Sequence, residues 1–270
     1  MALKNILKIA LLLVSSFTLQ ANVIILNGLT HVHNGEKGTQ IQGEIILQNM
    51  NKTNPERITV YLKDIMQGCN GNTEYLEMGS HPKTLSKWVS FNTSEKVLSP
   101  NEKFIITYTI NIPTEIKLEN DIDYGSFWSA IMVEVAKPIN ENNQYGVQIN
   151  SKIRYGIQII ANVGEKVDMP LEFQDIKISK ENTKTYAMDV VLKNKGLYMV
   201  QPTLILELFD TNGNSVKKAE ALFKKVYPEG CKDFKITFSD VPMGDYDAVL
   251  VADYGGEIFG VNVKVSIADK

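Results

Sequence analysis

The sequence predicts an all-β chain folded as two tandem antiparallel sandwiches, on three observations. Short runs of alternating apolar and polar residues, rich in Val, Ile, Thr and Tyr, follow one another from residue 22 onward, with Gly, Asn, Asp and Pro between them. That alternation has the period of a half-buried strand, and its even spacing suits a sandwich. No stretch after residue 21 sustains a helical period. Residues 215–225 (SVKKAEALFKK) come nearest, but they lie between the DTNGN and YPEG turns and read better as a strand. The third observation is a repeat. Pro100, the alternating run 104–110, Pro113, Gly125-x-Phe127 and an apolar run to Glu134 return as Pro228, the run 234–238, Pro242, Gly244-x-Tyr246 and a run to Asp253.

Taken in order, strands are expected near 22–29, 40–49, 56–66, 86–91, 103–112, 126–137 and 146–161, then near 171–179, 186–194, 200–209, 215–224, 232–239, 245–253 and 258–267. Seven strands in each half is the count of an immunoglobulin-like sandwich. The domains are therefore placed at 22–163 and 171–270. A short charged hinge at 164–170, ending in Pro170, joins them. In such a sandwich the chain changes sheet just before its penultimate strand. A glycine allows the corner, and an aromatic two residues later seals the end of the core. Tyr246 can return its hydroxyl to the preceding loop, as a tyrosine corner does; Phe127 lacks the hydroxyl.

Residues 1–21 read as a secretory signal peptide: Lys4 and Lys8, an apolar run over 9–14, and a small-residue cleavage site ending at Ala21. The run is shorter than the roughly 20 residues that span a bilayer, and no later segment is long and apolar enough to do so. The expectation is an exported chain, in the periplasm or at the cell surface, and not an integral membrane protein. Cleavage would remove two lysines and no acid, leaving 26 basic and 31 acidic side chains, a net charge of −5. That balance points away from nucleic acid and from anionic membrane surfaces. Cys69 and Cys231 are the two cysteines. An exported pair can form a disulfide, but this one would have to bridge the two domains, so two unpaired thiols are the favoured expectation. Without C-x-x-C, neither a redox pair nor a zinc site is indicated.

Few side chains suggest chemistry. On the strand from Gly125, Trp128, Ala130 and Met132 share the face opposite Phe127 and form an apolar stripe, covered by a neighbour or open for docking. Trp88, in LSKWVSF, is a second candidate binding residue, although a tryptophan there more often caps a core. In YGVQINSKIRYGIQII, Val147, Ile149, Ile153 and Tyr155 alternate with polar residues, and such an edge can pair with a partner's strand. Ordinary pairing within its own sheet is the commoner outcome. His31 and His33 share a face but have no third ligand nearby, so no metal is expected. Glu115, Glu119, Asp121 and Asp123 crowd one loop without the order of a calcium site. There is no G-x-S-x-G, and no catalytic residue or cofactor is assigned.

SKWVSF, VLSPNEKFIITYTINIP, YGSFWSAIMVE and INSKIRYGIQIIANVGE together resemble the peptidoglycan-binding domain of WxL-interacting proteins. PEGCKDFKITFSDVPMGDYDAVLVADYGG resembles a bacterial immunoglobulin-like domain. The resemblance implies a non-enzymatic protein of the bacterial envelope that recognises a protein or a cell-wall glycan. The alternative is a periplasmic pilus-assembly chaperone. Such chaperones are also exported pairs of immunoglobulin-like domains, and they lend a long alternating strand to a subunit. Here the strand would run from Val147 to Ile159, with Lys152 or Arg154 near the anchor for a carboxylate. It ranks second because the hinge and second half depart from the pattern expected of that group.

Overall fold

The computed structural model describes residues 22–116, 122–136, 152–165 and 170–268. The proposed signal segment and residues 146–151 of the long strand, with Val147 and Ile149, lie outside the described residues. So does most of the hinge.

Seventeen strands are described. The first ten are β1 (Val23–Ile25), β2 (Thr30–Gly35), β3 (Gln40–Asn49), β4 (Glu56–Gln67), β5 (Thr73–Leu76), β6 (Val89–Phe91), β7 (Glu95–Leu98), β8 (Lys103–Asn111), β9 (Gly125–Ala136) and β10 (Lys152–Val163). The other seven are β11 (Leu171–Lys180), β12 (Thr185–Asn194), β13 (Thr203–Phe209), β14 (Ser215–Ala221), β15 (Cys231–Ser239), β16 (Gly244–Tyr254) and β17 (Glu257–Ile267). No helix among the described residues is long and apolar enough to cross a membrane.

The strands form two immunoglobulin-like sandwiches. In the first, the sheet β1-β3-β8-β6 faces the sheet β2-β10-β9-β4-β5, with β7 also paired to β4. In the second, β11-β12-β15 faces β14-β13-β16-β17. Alternation along each strand sends one set of side chains inward. Ile45, Leu47, Ile106, Tyr108 and Ile110 from one sheet meet Ile58, Val60, Phe127, Ile131 and Ile157 from the other. The second core gathers Met188, Val190, Phe234 and Ile236 against Leu204, Leu206, Leu250 and Val265.

The repeat found in the sequence has a structural meaning. β8 and β9 lie in opposite sheets of one sandwich, and β15 and β16 lie in opposite sheets of the other. Each Gly-x-aromatic marks the crossing. Tyr246 donates its hydroxyl to Pro242 O at 2.8 Å. Gly125 answers to a further demand. Its φ is +121°, and a Cβ there would stand 2.6 Å from Leu197 O of the second sandwich. Ser126 N donates to that carbonyl at 2.8 Å, so the glycine lets the second domain dock on the start of β9. A matched pair of buried asparagines extends the repeat. Asn49 closes β3 by donating to Asn54 O and Ser99 O, and Asn194 closes β12 by donating to Tyr198 O and Val226 O.

Three expectations need correcting. The run 22–29 is not one strand: β1 pairs antiparallel with β3 through Ile25, the chain then changes sheet, and β2 pairs parallel with β10. The short strands β5 and β7 were not anticipated; four residues each, they are held by β4 rather than by their own pattern. The cysteines are joined as a disulfide between the domains, with Cα atoms 4.7 Å apart. The turn after β4 and the turn before β15 are brought together, and Asp233 N donates to Cys69 O at 2.8 Å. Nothing local to either cysteine signals that contact.

Candidate functional site

The candidate site begins with the pairing of β10. On one side β10 is bonded to β9 along its whole described length, from Lys152↔Ala136 to Val163↔Gly125. On the other side β2 covers only its second half, from Gln158↔Thr30 to Val163↔Gly35. Gln158 N donates to Leu29 O on that side at 2.9 Å. Backbone groups alternate in direction along a strand, so Gly156, Arg154 and Lys152 turn their N–H and C=O the same way. No described strand takes up those groups. Among the described residues, 152–157 are thus an open half-edge ending where β2 begins.

The core face of this half-edge is apolar. Ile153 and Tyr155 are half-buried against the first core, and Ile157 is fully buried. Tyr155 donates its hydroxyl to Val23 O at 2.5 Å, which ties β10 to the edge strand of the opposite sheet. Burial raises the Tyr155 hydroxyl above its ordinary pKa, so it remains a donor. On the outer face, Lys152 Nζ and Arg154 Nε donate to the two oxygens of Glu134 at 2.9 and 2.7 Å. Those bonds hold the Glu134 carboxyl down at about 2. Lys152 and Arg154, put forward above as anchors for a partner's carboxylate, therefore already meet one from their own chain.

A different cation lies at the end of the open edge. Lys225 reaches across from the second domain and donates to Thr30 Oγ1 and Gln158 Oε1. Tyr227 donates to the same Gln158 oxygen at 3.1 Å. Among the described residues no carboxylate lies within ion-pair distance of Lys225. Burial, and then the nearby charge of Lys232, lower its pKa. It is a partly desolvated cation held by neutral oxygens, an arrangement that favours an arriving anion. Sequence reading missed it because Lys225 lies 67 residues from Gln158 and 195 from Thr30.

Trp128 and Met132 are 9% and 4% exposed, in a cluster between the domains with Ile65, Ala130, Ile160 and Tyr227. The Trp128 ring stacks on His81 and tilts against Tyr227, both with centroids 4.8 Å away. Its Nε1 donates to Ile65 O at 3.0 Å. The second domain therefore covers the stripe. Trp88 packs on Phe127 with ring centroids 4.5 Å apart, at the end of the first core. His31 Nδ1 and His33 Nε2 both lie within hydrogen-bond distance of the Tyr108 hydroxyl, at 2.9 and 2.8 Å. No group of three metal-ligating side chains converges among the described residues.

No family model matches the chain, and no curated protein does. Solved structures do. A chain from a chaperone–tip adhesin complex of CFA/I fimbriae is 14% identical, with 90% of this chain and 98% of that one covered, at a TM-score of 0.48. The class 5 fimbriae chaperone CfaA is 12% identical over 92% and 100%, at 0.46. The Pseudomonas aeruginosa CupB2 chaperone is 11% identical over 91% and 100%, at 0.43. The resemblance to WxL-interacting proteins is corrected by these findings: no such model matches, and these three structures, each aligned with nine-tenths of this chain, come from a chaperone–adhesin complex and two chaperones. The expectation of an envelope protein that recognises a glycan through such a domain is overturned with it.

Proposed function

We propose that the chain is a non-enzymatic chaperone that lends the first half of β10 to a fimbrial-type protein subunit whose own sandwich is short of a strand. The observation that carries this reading is the half-edge at residues 152–157. Among the described residues its backbone groups on one side are unpaired, while Ile153, Tyr155 and Ile157 present apolar side chains to the core face. Main-chain pairing at such an edge supplies affinity, and alternate side chains filling pockets in the partner supply selectivity.

The geometry also supports a direction and an end point. A subunit strand following the track of β2 runs parallel to β10 and stops at Thr30, where β2 begins. Lys225 stands there with no carboxylate partner among the described residues. A subunit's C-terminal carboxylate reaching that point would supply the missing charge. The role that sequence reading gave to Lys152 or Arg154 passes to Lys225. Export is part of the proposal: it is supported by the leader-like pattern of residues 1–21 and by a disulfide of the kind kept in oxidising compartments.

The test is co-expression in a bacterial periplasm with a fimbrial subunit that lacks its last strand, followed by gel filtration. We expect a one-to-one complex that keeps the subunit soluble. Ile153→Asp combined with Tyr155→Asp should abolish it, and Lys225→Met should weaken it at least tenfold. Undiminished recovery with the β10 variant, or no complex with any such subunit, would sink the reading. A melting curve for each variant separates lost binding from lost folding.

A further inference from the structure

A cavity of about 450 Å³ opens between the domains beside the disulfide, in the size range of small-molecule sites. Its walls are mainly apolar, with Trp128 and Ile122 from the first domain facing Leu197 and Tyr227 from the second. Two basic side chains line it. Lys83 is 9% exposed, and its Nζ has no hydrogen-bond partner among the described residues. His81 stacks on Trp128, and its buried Nε2 also has none. A buried ammonium without a partner is costly, so the orphaned Nζ points to an anion, while the neutral His81 ring adds an unmet polar nitrogen but no charge.

The cavity is built before any ligand arrives. The Asp64 carboxylate accepts from Ser80 N at 2.8 Å, Thr84 Oγ1 at 2.6 Å and Ser129 Oγ at 3.0 Å. Trp128 N donates to Lys83 O, and Leu85 N donates to Trp128 O, at 3.1 and 3.2 Å. The loop carrying His81 and Lys83 is thereby locked along β9, where β4 has diverged to pair with β5. Cys69 and Cys231 also line the cavity, so the disulfide holds its two walls together. Burial lowers the Lys83 pKa, and the charge of Glu229, which also lines the cavity, opposes that. An acid beside the ammonium repels a multiply charged ligand, which disfavours a polyanion.

We propose that this cavity binds a small aromatic monoanion, a carboxylate or sulfonate on a flat apolar body, with Lys83 receiving the charged group and Trp128 and Tyr227 walling the ring. The site shares Tyr227 with the Lys225 end of the β10 edge, but its test does not depend on subunit binding.

The probe is 8-anilinonaphthalene-1-sulfonate, compared with its neutral analogue N-phenyl-1-naphthylamine. The sequence has two tryptophans, so Trp88→Phe leaves Trp128 as the sole donor for energy transfer to the probe. In that variant we expect saturable binding of one sulfonate probe per chain, with Trp128 emission quenched in step. Lys83→Met should weaken the sulfonate at least tenfold and leave the neutral analogue unchanged. Absence of saturable binding, binding without transfer from Trp128, or equal affinity in Lys83→Met would each overturn the proposal. If Lys83→Met does not fold, the energy-transfer measurement decides alone.

Discussion

Removing the inter-domain disulfide, by Cys69→Ala with Cys231→Ala, should lower stability about as much as a large truncation in either core. The crosslink closes a loop of 162 residues. On the chain-entropy model that length gives about 17 cal/mol/K, or about 5 kcal/mol at 25 °C, as an upper figure. Measured disulfides usually deliver about 2–4 kcal/mol, so a loss of about 3–5 kcal/mol is expected here. For a chain of this size each kcal/mol moves the midpoint by roughly 2–4 °C, which puts the fall near 10 °C. Thermal unfolding by circular dichroism, oxidised wild type against the double variant, measures it. Thiol titration of the denatured, unreduced wild type must find none. Two reactive thiols there, or midpoints within about 2 °C of each other, would refute the reasoning.

Other outcomes follow from the same contacts. Gly125→Ala should destabilise the docking of the two domains by about 1–3 kcal/mol from backbone strain alone. Its Cβ would also stand 2.6 Å from Leu197 O, so an unchanged melt would contradict that contact. Tyr198 is fully buried with its hydroxyl between Val163 O and Glu165 O, at 2.9 and 2.7 Å. Tyr198→Phe should therefore cost about 1 kcal/mol in denaturant unfolding. His31, His33 and His81 all have pKa values lowered from 6.5, chiefly by burial. The unfolded chain then binds more protons than the folded one below that value, so stability is full above it and falls as pH drops toward the folded-state values. A midpoint that stays flat from pH 7.5 to 5 would count against the buried, neutral imidazoles.

Much of the fold was legible because its signals are local. In the second domain every expected strand is present, since β11 to β17 alternate cleanly between turn residues. Gly125 and Gly244 marked the sheet crossings for the same reason. What escaped were features decided by partners far along the chain. The break between β1 and β2 depends on the parallel pairing of Thr30 with Gln158, 128 residues away. The expectation of free cysteines failed because only the docked domains bring Cys69 to Cys231. The candidate site divides likewise. The alternation of Ile153, Tyr155 and Ile157 could be read directly. That β2 stops short of them, and that Lys225 arrives from the other domain, could not.

Amide hydrogen exchange along β10, with and without a bound subunit, tests the open half-edge most directly. In the free chain we expect fast exchange at Lys152, Arg154 and Gly156, and slow exchange at Tyr155 and Ile157, whose N–H groups face β9. Binding should protect the first three and leave the other two as they were. Strong protection of Lys152, Arg154 and Gly156 in the free chain, or none gained in the complex, would contradict a strand edge held ready for a partner.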